Sequence, residues 1–424
     1  MNKEFLTAYD ILKKVYFENA YANIELNKFL KVNESLNGNL VTKIVYGVLQ
    51  NDIYLDYVVK GYIKPNTKPP ITLLLKMGRY VSEEVTGVPK YALVNELVEI
   101  AKKQYDRYVA GFVNATLKNV VNATVTLPKK NTAEYLSVKY SYPKWVIEKM
   151  LSNRTYDFVE DYLKTELTTL THIRILDDVE KFKHDLDECG IKYETTVLDF
   201  TLYVDYNRLL KNDLFKNRYV VQGLPSLLCS LSLGAKSGRV LDATSAPGGK
   251  TAVIATSGDV TVTACDIHSH RVLLVENYMK KLGIKNVTAL KQDATVFNPD
   301  FENAFDFVLC DVPCSGIGVV NKKPDILLNR TPETLKEIIE TQKKILENNA
   351  RYVKSGGVLL YSTCSVLNDE NNDVVADFLK HHNDFELTKI DTFGLNVLDE
   401  NGFYTFYPNL SNTEGFFIAR LKRK

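Results

Sequence analysis

Cysteine is scarce in this chain of 424 residues, and its six cysteines all lie between Cys189 and Cys364. Small secreted domains carry cysteines at much higher density, so we expect no disulfide framework. No C-x2-C pair is present and the six histidines show no ligand spacing, so we also expect no metal. Buried cysteines often serve only to fill a core, which is our reading of Cys189 and of three others, Cys229, Cys265 and Cys310.

Long apolar runs are missing as well. No stretch reaches the roughly 18 uncharged residues of a membrane span. The first 20 residues carry charges throughout and lack the apolar core of a secretory signal. We therefore expect a cytoplasmic protein without membrane association.

The chain has no excess of one charge, but its charges are unevenly distributed. It holds 53 Lys and Arg against 52 Asp and Glu. Residues 1–130 hold 18 cationic side chains against 12 acidic ones, a surplus of 6, which leaves 35 against 40 for the rest, a deficit of 5. A basic N-terminal part suits a surface that meets phosphates, although a solvated helical face gives the same composition.

Three successive segments predict a multidomain protein. Residues 1–130 repeat apolar positions at helical spacing between Pro- and Gly-containing breakers, which predicts an all-α bundle of six or seven helices. Residues 131–220 predict a small α/β connector. Residues 221–424 alternate strands and helices, as expected of a parallel, doubly wound α/β domain.

Finer features are predicted within these segments. The polar stretch 124–144 reads as a linker, and a helix containing Trp145 follows it. In the connector we expect a strand at 171–175, a helix at 178–189 and a strand pair within 193–203. The final strand signal, 415–421, is expected to lie antiparallel at the edge of the large sheet.

Two cysteines directly follow predicted buried strands. Cys314 lies in DVPCSG (311–316) after the strand at 305–310, and Cys364 lies in STCS (362–365) after the strand at 358–361. Ligands of open α/β sheets bind outside the carboxyl ends of the strands, so both thiols should face one crevice. A thiolate that adds to C6 of a pyrimidine activates C5 for methylation, and Asp311 is placed to hydrogen-bond the ring. Such chemistry requires an unstacked base, which indicates single-stranded or flipped RNA.

A glycine-containing turn follows a third strand and predicts a nucleotide-type cofactor. The turn consists of Thr244, Ser245, Ala246, Pro247, Gly248, Gly249 and Lys250. Asp266, 18 residues after Gly248, ends the next strand, where a carboxylate accepts hydrogen bonds from ribose hydroxyls. Asp293 follows a further strand and could reach an adenine amino group. Since G-x-G-x-x-G is lacking, we expect an adenosine without pyrophosphate, namely S-adenosylmethionine.

Together, DATSAPGGKT (242–251), DVPCSG and STCSVLNDEN (362–371) resemble the RNA 5-methylcytosine methyltransferases of the RsmB (Sun/Fmu) type, which are related to the NSUN enzymes. The segments 45–49 and 111–118 are similar to the NusB-like RNA-binding domain of that family. The resemblance implies a Rossmann-like class I methyltransferase domain that acts on cytosine C5 of 16S rRNA, not on DNA. It further implies that Cys364 is the nucleophile, that Cys314 assists product release, and that Lys250 and Asp311 act on the base.

Other functions remain open from the sequence. The same chemistry could act on another RNA such as tRNA, because motifs do not encode RNA shape. A non-enzymatic NusB-type RNA-binding factor would also carry the helical domain. In such a protein, catalytic residues such as Cys314 and Cys364 would be expected to be lost first, and both are present. A thiol redox protein would be expected to carry C-x-x-C. We expect a monomer, although no motif bears on the oligomeric state.

Overall fold

A computed structural model of the chain describes residues 3–32 and 36–424 and divides into two compact units. The first unit is Met1–Lys164 with Val320–Arg330, and the second is Thr165–Val319 with Thr331–Lys424. The boundaries predicted after residues 130 and 220 remain predictions. The compact units divide after Lys164. The helices between residue 130 and Lys164 therefore group with the N-terminal bundle.

The first unit is a helical bundle, as the apolar spacing predicted. Fully buried Leu12, Val45, Leu74, Leu97 and Val113 belong to five different helices of its core. The helices of its long segment are α1 (Lys3–Phe17), α2 (Ala22–Val32), α3 (Gly38–Gln50), α4 (Asp52–Lys60), α5 (Pro69–Glu84), α6 (Lys90–Gln104), α7 (Arg107–Val120), α8 (Ala133–Tyr140), α9 (Lys144–Leu151) and α10 (Tyr156–Lys164).

The predicted linker at 124–144 is wrong in part, because α8 occupies its second half. Thr132 begins this helix by accepting a hydrogen bond from the backbone N–H of Tyr135 at 3.1 Å. The helix then buries Leu136 and Val138. Eight residues are too few to show a clear apolar periodicity, so the sequence pattern did not indicate this helix. Burial of its apolar side chains stabilises the helix despite its polar surroundings in the sequence.

A short segment from the C-terminal half completes the first unit. Val320–Arg330 contains a 3-10 helix, Pro324–Asn329, and lies in the chain between the two thiol motifs. The backbone N–H of Ala22 donates to the Asp325 carboxylate at 3.4 Å. The Gln50 amide donates to the carbonyl oxygen of Asn321 at 3.3 Å. The segment Val320–Arg330, which packs with the helical bundle, therefore begins only six residues after Cys314.

The second unit begins with a four-stranded antiparallel sheet in the order β2-β3-β1-β4. The strand, the helix and the pair of strands expected within residues 171–203 are confirmed. Asp178 begins the helix by accepting from the backbone N–H of Lys181 at 2.7 Å. The elements are β1 (Thr171–Ile175), α11 (Val179–Glu188), β2 (Tyr193–Thr195), β3 (Thr201–Val204), α12 (Tyr206–Leu210) and β4 (Tyr219–Val221).

A larger mixed sheet follows, in the order β11-β12-β13-β9-β8-β5-β6-β7, with β10 paired to β13. Strands β9, β8, β5, β6 and β7 are mutually parallel, and the remaining pairs are antiparallel. The elements are α13 (Leu224–Ser232), β5 (Ser237–Asp242), α14 (Gly249–Ala255), β6 (Asp259–Asp266), α15 (Ser269–Leu282), β7 (Val287–Lys291), β8 (Phe305–Asp311), α16 (Pro332–Ala350), β9 (Val353–Thr363), α17 (Asn372–His381), β10 (Phe385–Thr388), β11 (Leu398–Asp399), β12 (Phe403–Phe406), α18 (Pro408–Ser411) and β13 (Phe416–Arg423).

The last strand departs from its prediction in one respect. β13 is antiparallel to β9, as expected, but it lies inside the sheet because β12 pairs with its other side. The irregular stretch before it supplies β10, β11 and β12, whose strands of two to four residues are too short to show an alternating pattern.

The strand order reverses between β5 and β8. From β5 the chain proceeds outward through β6 and β7, and it then returns to β8 and β9 on the other side. Both sheet faces are covered, with Val308 and Leu359 in one core cluster and Leu309 and Leu360 in another. Such a switch point opens a crevice at the carboxyl ends of the strands, and the three predicted motifs follow β5, β8 and β9.

Candidate active site

Cys314 and Cys364 are in contact at this crevice. Their sulfur atoms lie 2.8 Å apart, and the backbone N–H of Cys364 donates to the sulfur of Cys314 at 3.2 Å. Both are free cysteines of intermediate exposure. Residues 50 positions apart in the chain are thus brought together because β8 and β9 are neighbouring parallel strands.

The contact moves the two thiol pKa values in opposite directions. The hydrogen bond from Cys314 lowers the pKa of Cys364, and the positive charge of Lys250 acts in the same direction against burial. The same hydrogen bond, with burial and the negative charge of Cys364, raises the pKa of Cys314 well above its usual value. Of the two thiols, Cys364 therefore ionises more readily and Cys314 keeps its proton to higher pH.

Asp311 and Lys250 form an ion pair beside the thiols. The Nζ of Lys250 lies 2.6 Å from Oδ2 of Asp311, and the hydroxyl of Ser362 donates to Oδ1 of the same carboxylate at 2.8 Å. Burial acts to lower the pKa of Lys250, but the charge and the hydrogen bond of Asp311, together with the charges of Cys229 and Asp242, outweigh burial and raise the pKa. The hydroxyl of Thr244 donates to the carbonyl oxygen of Asp311 at 2.7 Å, so the cofactor turn also braces this strand end.

Glu370 is a buried residue of the site that the sequence analysis did not single out. Its fully buried carboxylate accepts from the backbone N–H of Ser315 at 2.7 Å, from the Ser315 hydroxyl at 2.5 Å and from the Gln342 amide at 3.1 Å. The Ser315 hydroxyl also lies 3.2 Å from that of Ser365. The carboxylate therefore ties the loop of Cys314 to the turn after Cys364. It stands in the motif STCSVLNDEN, six residues after Cys364, but was not assigned a role there.

A cavity of about 360 Å³ lies at the carboxyl ends of β5, β6 and β8. Five of the predicted cofactor residues line it, namely Thr244, Ala246, Asp266, Asp293 and Asp311. The sequence reasoning did not single out other lining residues, which include Ile267, Arg271, Gln292 and Ile345.

The two predicted carboxylates of the cavity are partly engaged. Asp266 accepts from the backbone N–H of His268 at 3.1 Å and lies 3.5 Å from Nε of Arg271. One oxygen of Asp293 accepts from the backbone N–H and the hydroxyl of Thr295 at 2.8 and 2.7 Å. Asp293 thus caps a turn while it also borders the cavity.

The remaining residues of the glycine turn shape the loop. The Ser245 hydroxyl donates to the carbonyl oxygen of Cys265 at 3.0 Å. Gly248, next to Pro247, has a φ of +106°, and a Cβ there would lie 3.3 Å from both Tyr278 and Met279. Glycine meets both demands, and Gly249 then begins α14 with Lys250 in its first turn.

The other four cysteines are not part of the thiol pair. Cys229, Cys265 and Cys310 are buried, as predicted, and burial raises the pKa of Cys229 and of Cys265 to about 12. The core reading of Cys189 is wrong, because this residue is exposed beyond the end of α11 and its sulfur accepts from the Asn212 amide at 3.2 Å.

Within residues 3–32 and 36–424, no group of three or more His, Cys, Asp or Glu side chains is arranged to hold a metal ion. In the same ranges, no helix combines the length and the apolar character that a bilayer crossing requires.

Comparison with known proteins identifies the family. Residues 231–422 match the model described as 16S rRNA methyltransferase RsmB/F, and residues 5–122 match the NusB family. A protein of Bacillus subtilis (strain 168), named probable ribosomal RNA small subunit methyltransferase B, is 33% identical over 98% of this chain and 98% of its own length. The chain belongs to the RsmB/F family of rRNA small-subunit methyltransferases. Members of the RsmB/F family use S-adenosylmethionine.

Other relatives share only the catalytic part of the RsmB/F family or its fold. Ribosomal RNA small subunit methyltransferase F of Escherichia coli O6:H1 is 38% identical over 44% of this chain and 40% of its own length. The solved structure of PH0851 superposes with a TM-score of 0.84 at 24% identity and covers 99% of both chains. NSun6 from Pyrococcus horikoshii, solved with SFG, gives 0.54 at 21% identity over 70% of this chain and 98% of that one. At these identities the two structures show the fold.

The cavity residues fit the cofactor of the RsmB/F family. Asp266 offers carboxylate oxygens suited to ribose hydroxyls, and its 3% exposure keeps them out of bulk water. Ile267 and Ile345 offer apolar walls to a planar base, and the volume is in the range of small-molecule sites. The turn lacks the fingerprint for a pyrophosphate, which S-adenosylmethionine does not possess.

Proposed function

We propose that this protein methylates C5 of a cytosine in 16S rRNA through a covalent bond between Cys364 and C6 of the base. The observation that carries the proposal is the contact of the two cysteine sulfur atoms, 2.8 Å apart, beside the ion pair of Asp311 and Lys250. Membership of the RsmB/F family supports the RNA substrate, and the cavity that Asp311 also lines supports a methyl donor close by.

Cys364 is the nucleophile in this proposal. As the thiolate of the pair it adds to C6, which moves electron density to C5 and makes that carbon nucleophilic. Bound S-adenosylmethionine supplies the methyl group that C5 accepts. A lowered thiol pKa matters because the thiolate is the reactive form.

Asp311 orients and polarises the cytosine together with Lys250. Its two carboxylate oxygens are fixed by Lys250 and Ser362, so the carboxylate presents its remaining lone pairs in one direction. A carboxylate accepts from the exocyclic amine of cytosine, and from N3 if that atom is protonated.

Cys314 assists the release of the product. Once C5 has passed its proton to a water molecule, the C5–C6 double bond forms again and the bond from C6 to the sulfur of Cys364 breaks. The thiol of Cys314 donates a hydrogen bond to that departing sulfur, which stabilises the negative charge it acquires.

Labelled S-adenosylmethionine and RNA from cells that lack the protein would test the proposal. We expect label in 5-methylcytosine of 16S rRNA and none in the tRNA fraction. Label confined to tRNA would move the substrate to the alternative RNA. Label in a different modified nucleoside would contradict the C5 chemistry, and cofactor binding without transfer to any RNA would favour the non-enzymatic factor.

The remaining assignments are proposals of the same kind. We propose that the protein is a monomer. We also propose that it acts in the cytoplasm, where small ribosomal subunits are assembled. The charge surplus of residues 1–130 and their match to the NusB family support a role of the helical unit in RNA binding.

A further inference from the structure

A second cavity, which we call the connector pocket, lies beside β4 in the second unit. It has a volume of about 430 Å³. Its walls come from the segment between α12 and β4 and from the C-terminal part of α15. Tyr206, Tyr219, Tyr278, Lys216 and Lys281 line it, and none of them has a role in the chemistry proposed above.

Aromatic and aliphatic side chains form part of the lining of the connector pocket. The rings of Tyr206 and Tyr219 meet edge to face with their centroids 6.3 Å apart, and Tyr278 lines the pocket from α15. Leu210 and Val221 also line it and remain 64% and 51% exposed. Exposed apolar residues concentrated around a cavity indicate a binding surface. Tyrosine rings in such a place are typical platforms for stacked bases.

Cationic side chains border the same cavity. Lys216 and Lys281 line it against one carboxylate, that of Asp213, and Arg218 follows Asn217 of the lining in the chain. Arg218 is engaged by Asp177 and Asp185 at 2.6 and 2.7 Å. Lys216 and Lys281 have no ion-pair partner within the part of the chain that the structure describes. Their positive charge is thus available to a phosphate.

The connector pocket shares a wall with the cofactor turn. The ring of Tyr278 lies close to Gly248, because a Cβ added at Gly248 would be 3.3 Å from it. Gln222, directly after Val221, donates to the carbonyl oxygen of Gly249 at 3.3 Å. A nucleotide in the pocket would therefore be separated from the cofactor turn by one layer of side chains.

We propose that the connector pocket binds one unpaired nucleotide of the RNA substrate, next to the segment that enters the active site. The base stacks on the tyrosines, and its phosphate lies against Lys216 and Lys281. The proposal rests on RNA being the substrate, but it does not depend on which atom is methylated. It assigns to the small sheet a direct part in choosing the RNA.

Removal of the two lysine charges tests the phosphate contact. We compare the Lys216→Gln/Lys281→Gln protein with the wild type in equilibrium binding of unmodified 16S rRNA transcript over a range of salt concentrations. The matched control is Lys181→Gln/Lys192→Gln, which removes two exposed lysines of the same small domain outside the pocket. The pocket variant should bind about 10-fold more weakly, and the slope of log K against log salt should fall by about 1.4, since each single-strand phosphate contact contributes about 0.7.

Photo-crosslinking tests the stacking contact without any methyl transfer. Transcript containing 4-thiouridine is irradiated with the full-length protein, and the crosslinked residues are found by mass spectrometry. Crosslinks at Tyr206, Tyr219 or Tyr278 are expected. Tyr206→Leu, which keeps an apolar side chain, should weaken binding about 5- to 100-fold.

These results separate the pocket from the proposed chemistry. Unchanged affinity and salt slope in the lysine variant, with crosslinks confined to other residues, would overturn the proposal even if 5-methylcytosine forms normally. Conversely, crosslinks in the pocket and a reduced slope would support it even if the methylated atom proved not to be C5. A thermal melt of each variant with S-adenosylhomocysteine checks that the second unit still folds and binds its cofactor.

Discussion

The loops that carry the two thiols are built differently, although their sulfur atoms touch. Cys364 directly follows β9, an 11-residue strand in the middle of the large sheet. Cys314 lies three residues past the end of β8, in a loop whose next residue, Ser315, is bound by the buried carboxylate of Glu370. The first loop is held by the strand itself, and the second is held by a side chain.

The difference shows how one residue type acquires two roles. A rigid strand end presents Cys364 at a fixed point, where the neighbouring thiol and the charge of Lys250 favour its ionised form. The loop of Cys314 is held by polar contacts that keep its sulfur against Cys364 as a hydrogen-bond donor. A nucleophile needs a lowered pKa and a fixed position, whereas a group that assists release needs to remain protonated.

The largest effect is expected for Cys364→Ala. Loss of the nucleophile should reduce methyl transfer by about 10⁴-fold or more, while cofactor and RNA binding remain unchanged. Transfer of label to 16S rRNA measures the effect. Cys189→Ala, at an exposed position outside the site, is the control and should retain full activity. Near-normal transfer by Cys364→Ala would reverse the roles given to the two thiols.

Cys314→Ala should separate bond formation from product release. The first methyl transfer should proceed, but turnover should fall by about 10²–10⁴-fold, because the departing sulfur loses its hydrogen-bond donor. A protein–RNA adduct that survives denaturing electrophoresis is the expected signature. The double variant Cys314→Ala/Cys364→Ala should form no such adduct. Absence of an adduct in Cys314→Ala under single-turnover conditions would argue against a role in release.

Glu370→Gln should have a smaller effect of the same kind. The substitution removes the charge and replaces one acceptor of the Ser315 hydrogen bonds by a donor, so the loop of Cys314 should loosen. We expect turnover to fall about 10-fold, the adduct to live longer, and the free energy of unfolding to drop by about 1–3 kcal/mol. Chemical denaturation and adduct lifetime are the measurements.

A longer adduct lifetime is the outcome that separates a positioning role from a merely structural one. Glu386→Gln, at an exposed carboxylate on β10, controls for the loss of charge and should match the wild type. If Glu370→Gln lowers stability but leaves the lifetime of the adduct unchanged, Glu370 supports the fold without positioning Cys314.

The same contrast explains what could be predicted from the sequence. Cys364 and Cys314 were found because each follows an apolar run that local pattern marks as a strand. That β8 and β9 are neighbours, and that β13 lies between β9 and β12, depends on strand order, which local patterns do not contain. Glu370 was missed because a carboxylate in a polar run resembles solvent-exposed sequence, and only its tertiary partners reveal that it is buried.

The smallest effect, and the most direct test of the two protonation states, is expected for Lys250→Met. Its positive charge contributes to the lowered pKa of Cys364, so the pH at which this thiol becomes reactive should rise in the variant. The variant should therefore react more slowly than the wild type near neutral pH, and the two should converge at high pH, where both are thiolates. The rate of iodoacetamide labelling of each cysteine, followed by mass spectrometry against pH, measures the shift.

Lys343→Met, an exposed lysine paired with Asp377 on α17, is the matched control and should leave the midpoint of Cys364 unchanged. Cys314 should label only at higher pH than Cys364 in every variant, because its pKa is raised mainly by the neighbouring sulfur and by burial. If Cys314 labels first in the wild type, the thiolate belongs to the loop held by Glu370, and the order of the two thiols in the reaction is the reverse of the one proposed.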